Sequence, residues 1–423
     1  MSKVFKISFY LGWLLLSLSF FFKYTKTLQW LGFIILSFVS LYLIAKNKEL
    51  IFHTLRNLTS MLFLFLVFLF WFVIVSPYKM ASLEAFLLNY FFPILLFYLL
   101  LILACFHIEW EKALLIFWSI FLFVVITFIA YYVVFITYRS LSDGAFALSA
   151  FLFYHKSSLL KGLVVTIPAF VLGLFVSFGL FLNDKNKRRK YLFFLTSLII
   201  FVYLMLIGRR AALLSILIAF LIVAFLTTNK KLKRIFQGVL VISVTSLIIF
   251  LSQPQGKEIM LKARDDLTLL LSFDYEKWAQ AGSMGGRLYI WPIYFKKSLE
   301  EPFSGTGLGR RVQKRVLAET NKRALSLEHA HNLFLNLALQ AGWHSAIFFF
   351  LFYVVTLKKA YSLWKVSQEN PLFTSLFLYI IAFFIMSLFE GMEESLSFTP
   401  FWITSGIIWG YKLYYEQKSS LSS

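Results

Sequence analysis

Long apolar runs broken by short polar clusters set the pattern of this chain, and the runs recur from one end to the other. Residues 58–76 (LTSMLFLFLVFLFWFVIVS) and 113–137 are each long enough to cross a hydrocarbon core of about 30 Å as helix. Twelve such spans are expected: 7–22, 28–45, 58–76, 82–106, 113–137, 161–183, 191–207, 211–227, 234–252, 343–357, 371–389 and 399–414. The fold class that follows is an all-α polytopic membrane protein with about twelve transmembrane helices and one large loop. No small-residue cleavage site follows the first run, so it reads as a retained span and not as a signal peptide. The organisation is then helices one to nine over 1–252, a loop over 253–332, and helices ten to twelve over 333–423.

The loop breaks the rhythm. Connections this long are uncommon without structure or function of their own. Two of its stretches, GKEIMLKARDDLTLLLSF and GGRLYIWPIYFKKSLEEPF, carry helix-like apolar spacing on one side and charge on the other. Short helices lying on the membrane surface are expected there.

Composition agrees: 60% of residues are hydrophobic, 14% are charged, and Phe occurs 52 times. The formal net charge of +21 would suit nucleic acid in a soluble protein. Here its distribution points to the membrane instead. Basic clusters such as NDKNKRRK (183–190) and TNKKLKR (228–234) fall in short connections that share one side when both termini are cytoplasmic. The long loop then lies outside, which in a bacterium is the periplasm. The single cysteine, Cys105, sits in an apolar run and reads as core filler.

Chemistry can be sought in five polar places. In LIGRRAALLSILIAF (206–220), Gly208, Arg209 and Arg210 fall between two spans at a helix start on the outer face. Unpaired N–H groups and the helix dipole favour an anion at such an end, and guanidinium groups add bidentate phosphate recognition. Alternatively the arginines only anchor the helix end among headgroups. In GSMGGRLYIW (282–291), Arg287 follows three glycines that permit a tight turn or close approach to a ligand. GTGLGRRVQKR (305–315) repeats the theme with Arg310, Arg311, Lys314 and Arg315. Its glycines do not have the dinucleotide-binding spacing, and no strand precedes them. The acidic turn FEGMEESLSF (389–398) offers Glu390, Glu393 and Glu394. These could pair with loop arginines or sit near an acceptor, though a solvated turn is the plainer expectation.

The fifth place is HAHNLFLNLALQAG (329–342), which holds two of the six histidines. A metal is the first thought, but residues two apart on a helix do not share a face, and Glu328 is equally badly placed as a further ligand. No metal or other cofactor is expected. Two readings remain: interfacial polar residues without chemistry, or one imidazole acting as a general base. His331 lies at or before a helix N-terminus, where the dipole disfavours protonation and keeps the ring able to accept a proton. Outer-face arginines for a diphosphate and a histidine for a hydroxyl suit glycosyl transfer from a lipid-linked sugar.

Three blocks in this order, GRRAALL, GGRLYIW and HAHNLFLNLALQAG, resemble the bacterial O-antigen ligase family. That family shares a wider group with O-antigen polymerases and protein O-oligosaccharyltransferases. The resemblance implies a GT-C-like inner-membrane glycosyltransferase. It would move a glycan from undecaprenyl diphosphate to the lipid A–core oligosaccharide at the periplasmic face, with inversion and without metal. Matching positions imply that Arg210 and Arg287 hold the diphosphate and that His331 acts as base or orients the acceptor. Arg209 would assist the diphosphate, while His329, Asn332, Arg310 and Arg311 would support the site. Expected partners are the polyprenyl-linked donor, the lipid A–core acceptor and membrane lipids, with no nucleic acid. A polymerase stays open. The short tail EQKSSLSS speaks against a protein oligosaccharyltransferase, and spans nearly free of charge speak against a transporter of lipid-linked sugars.

Overall fold

The computed structural model describes residues 3–19, 26–46, 65–67, 69–106, 110, 112–124, 126, 167–206, 209–252, 283–320, 330–390 and 395–420, with scattered positions between 257 and 271. Among these residues there is no strand. The helices are α1 (Lys3–Ser19), α2 (Lys26–Lys46), α3 (Lys79–Ala85), α4 (Phe92–Cys105), α5 (Ile167–Asn183), α6 (Lys187–Leu206), α7 (Arg210–Leu226) and α8 (Lys230–Ser252). They continue as α9 (Ser283–Glu300), α10 (Arg310–Thr320), α11 (Leu333–Ala341), α12 (Trp343–Val366), α13 (Pro371–Phe389) and α14 (Ser395–Ser420). A π-helical segment, Phe86–Phe91, joins α3 to α4 without a break.

Five helical stretches among the described residues are long and apolar enough to cross a membrane: Thr27–Lys46, Lys79–Cys105, Lys230–Ile249, Trp343–Val366 and Pro371–Phe389. Shorter apolar helices include Val4–Ser19, Lys112–Val124, Ile167–Asn183 and Arg210–Leu226. Parts of the spans expected at 58–76, 113–137 and 161–183 lie outside the described residues. Many large apolar side chains point outward from these helices, among them Phe38, Phe225, Val241, Ile248, Ile347 and Leu351. An outward apolar surface of this kind is stable against lipid and unstable against water.

At the centre stands α13. Nearly all of its side chains are buried, and it packs against α5, α7, α11, α12 and α14. Asn370 starts it by accepting hydrogen bonds from the amides of Leu372 and Phe373, with Pro371 at the first helical position, where a missing N–H costs nothing. Close approach to α5 needs a small residue: a Cβ on Gly179 would collide with the Ser375 Oγ. The Ser375 hydroxyl donates to the Phe175 carbonyl at 2.9 Å, sealing the same contact.

Helices α7 and α13 run antiparallel. Just past the end of α7, the Asn229 amide group donates to Glu369 at 3.1 Å, beside the start of α13. The beginning of α7 therefore lies near the end of α13. The basic connections at 183–190 and 228–234 sit at the opposite end of this bundle from Arg209, Arg210 and Glu390.

Candidate functional site

Helix α11 is built to hold its N-terminal approach. Asn332 caps it, its Oδ1 accepting from the Leu335 amide at 3.0 Å. The same side chain donates through Nδ2 to the Leu388 carbonyl at 3.3 Å, tying the approach to the end of α13. Two residues earlier, Ala330 is wholly buried. Its N–H donates to Asn336 Oδ1 at 3.0 Å, and its carbonyl accepts from Trp291 Nε1 at 2.7 Å. Between these anchored residues His331 takes φ of 49°, a left-handed conformation uncommon outside glycine. The chain kinks there and the imidazole is presented to the end of α13.

Arg287 reaches the same point from α9. Of the three glycines before it, Gly285 and Gly286 are helical, in the first turn of α9, and Gly282 lies outside the described residues. Past Arg287, Ile290 and Tyr294 bury themselves against Ala330 and Leu339, so α9 and α11 share a small apolar core. Burial of that core and the Trp291 hydrogen bond set the two functional blocks in fixed relation.

They meet at Glu390, which ends α13. Arg287 Nη2 lies 3.4 Å from Glu390 Oε1, and His331 Nδ1 lies 3.5 Å from Oε2. One carboxylate thus spans both groups. Burial alone would push its pKa up. The hydrogen bond from His331 and the charges of Arg287, His331 and Arg209 outweigh that and hold it below the ordinary carboxylate value. Arg287 is pushed down by burial and by repulsion from Arg210, with Glu390 opposing both. Arg209 and Arg210 are therefore close enough to share the field. They are solvent-exposed at the start of α7, where among the described residues no side chain caps the helix. Three guanidinium groups against one carboxylate leave a net positive, partly exposed patch beside a helix N-terminus, which is an anion-binding environment.

Other candidates lie elsewhere. Arg311 pairs with Glu84 at 3.0 Å, and Arg315 lies over the Tyr78 ring at 4.9 Å, so α10 is fastened to α3 and its approach. The GTGLG turn wraps the C-terminal end of α11: the Thr306 and Gly307 amides donate to the carbonyls of Leu339 and Gln340 at 2.9 and 3.1 Å. Gly305 has φ of 63°, and a Cβ there would collide with the Gln340 carbonyl oxygen. These glycines allow backbone to approach backbone, an architectural use. Arg310 is half-buried at the head of α10. His329, Gly208, Glu393 and Glu394 lie outside the described residues.

Glu390 is the residue whose role the plainer sequence expectation missed. Its signal was an acid closing an apolar span on the face that also carries the arginines.

Residues 195–350, from α6 into α12, match the family model described as O-antigen ligase. The chain carries an O-antigen ligase domain. That domain contains Arg209, Arg210, Arg287, His331 and Asn332, while Glu390 lies beyond its matched end. The match covers less than half of the chain and supports the O-antigen ligase and polymerase superfamily, in which glycosyltransferase-like activity is implied. None of the curated proteins compared with the chain matches it.

Proposed function

We propose that this protein is an O-antigen ligase. It transfers a glycan from undecaprenyl diphosphate to the lipid A–core oligosaccharide at the periplasmic face of the inner membrane. The carrying observation is the convergence of Arg287, His331 and Glu390, with Arg209 and Arg210 in the same field, at one end of the helix bundle. The twelve-span arrangement with cytoplasmic termini is part of the same proposal.

In this reading the donor's diphosphate sits against Arg210 and Arg287, aided by Arg209 and the start of α7. An acceptor hydroxyl attacks the anomeric carbon from the side opposite the diphosphate, which inverts the configuration. The new C–O bond forms as the C–O bond to phosphate breaks, and that electron pair leaves on the diphosphate, where the arginines stabilise the growing charge. The hydroxyl proton passes to His331. Since Nδ1 faces Glu390, Nε2 is the nitrogen turned toward acceptor. The carboxylate holds the ring in orientation and stabilises the imidazolium as it forms. The carboxylate lies 3.5 Å from Nδ1.

The test is the lipopolysaccharide of a deletion strain complemented with variants. Wild type restores O-chain on the core, whereas His331→Ala restores none, although the protein accumulates in membranes. Core capped by one repeat in the deletion strain would identify a polymerase instead, and normal capping by His331→Ala would remove the base assignment.

A further inference from the structure

The distal half of α9 carries an exposed apolar stripe that the catalytic proposal leaves unused. Pro292, Phe295 and Leu299 recur at helical spacing on its outward side, and Phe303 follows just beyond the helix. Among the described residues Phe295 is 48% exposed, Leu299 53% and Phe303 79%. The opposite side of this half, Tyr294 and Ser298, is buried. Lys296 and Glu300 flank the stripe along one edge and are also exposed. The segment is therefore amphipathic twice over: one face enters the protein, and the remainder divides into an apolar band and a charged band.

What covers the apolar band is indicated by its neighbour. Phe295 meets Trp343 edge-on, with ring centroids 5.6 Å apart. Trp343 opens the span α12, and its amide donates to the Pro302 carbonyl at 2.9 Å, which holds Phe303 beside the same helix end. From Trp343 the outward face of α12 continues with Ile347, Phe350 and Leu351, all exposed and apolar. The stripe on α9 thus extends the lipid-facing surface of a span, at the level of a tryptophan, where amphipathic rings favour the boundary between headgroups and acyl chains. The adjoining Lys296 suits anionic headgroups.

We propose that Phe295, Leu299 and Phe303 insert into the outer lipid interface and anchor α9 to the bilayer surface. The lipid surface, through that anchor, sets the depth of Arg287 at the other end of the same helix. The anchor needs no assumption about donor or acceptor.

The test uses the full-length protein in phosphatidylethanolamine–phosphatidylglycerol vesicles. Single cysteines are introduced as Phe295→Cys, Leu299→Cys, Phe303→Cys and Glu300→Cys, and labelled with an environment-sensitive fluorophore. Cys105 is buried, and unsubstituted protein carried through the labelling supplies the blank. Lipids bearing a shallow nitroxide should quench the first three labels several-fold more than the label at 300, and iodide should show the reverse order. Quenching of all four by iodide alone would overturn the anchor. Shielding of the first three from both quenchers would also overturn it, since another protein surface would then occupy the stripe.

Discussion

At the scale of single residues, the site turns on one carboxylate shared by a guanidinium and an imidazole. Glu390→Gln keeps the shape but removes the charge that orients and stabilises His331. It should lower turnover by about two orders of magnitude, the scale expected when a base loses its charged partner. Donor binding should change far less, and single-turnover transfer at saturating donor separates the two. Charge removal at Arg210 or Arg287 should act differently: Arg210→Ala and Arg287→Ala should raise the apparent KM for the lipid-linked donor more than Lys314→Ala. Equal effects across the three would contradict the diphosphate assignment. The ionisation of Glu390 also carries a sign. Its pKa is lowered in the folded state, so its stabilising contribution is complete above the ordinary carboxylate value of about 4.3 and is lost as pH falls through the depressed value. The difference in Tm between wild type and Glu390→Gln in detergent should therefore shrink as pH is lowered below about 4.

Elements explain why those residues stay in place. The nine residues of α11 are too few to be stable alone, so the helix depends on its attachments. Asn332 supplies the cap and the link to α13, Asn336 and Trp291 grip Ala330, and the glycine turn closes the far end. Asn332→Ala removes both functions of that side chain and should cost about 1 kcal/mol from the cap alone, read as a lower Tm. Asn332→Asp retains the acceptor that caps the helix and loses only the donor to Leu388. It should keep most of the stability while still impairing transfer. An Asn332→Asp variant with full activity would show that the tether to α13 does not matter. The glycine turn makes the companion case for how sequence motifs are read. GTGLGRR looks like a ligand loop by composition, yet its amides are spent on Leu339 and Gln340. Hydrogen-bond partners decide between those readings, and composition does not name them.

For the whole molecule, the antiparallel packing of α7 on α13 separates a basic end from the end that holds Glu390. With positive charge retained in the cytoplasm, alkaline phosphatase fused near residue 300 should be active and a fusion within 183–190 inactive. The reverse pattern would invert the proposed topology and place the site in the wrong compartment for its substrates.

The sequence by itself determined the helical class, the recurrence of apolar spans and the three ordered blocks, because burial in lipid requires long apolar runs and because each block is local in the chain. It also named Arg210, Arg287 and His331 as candidates, though not their relation. Tertiary structure alone decided that Glu390 joins them. Arg287 and Glu390 are 103 positions apart, and only the burial of α13 at the bundle centre brings that acid between the arginine and the histidine. Exposure of an acidic turn is a sound expectation for a residue considered alone. It fails where neighbouring helices deliver guanidinium groups that make a half-buried carboxylate stable.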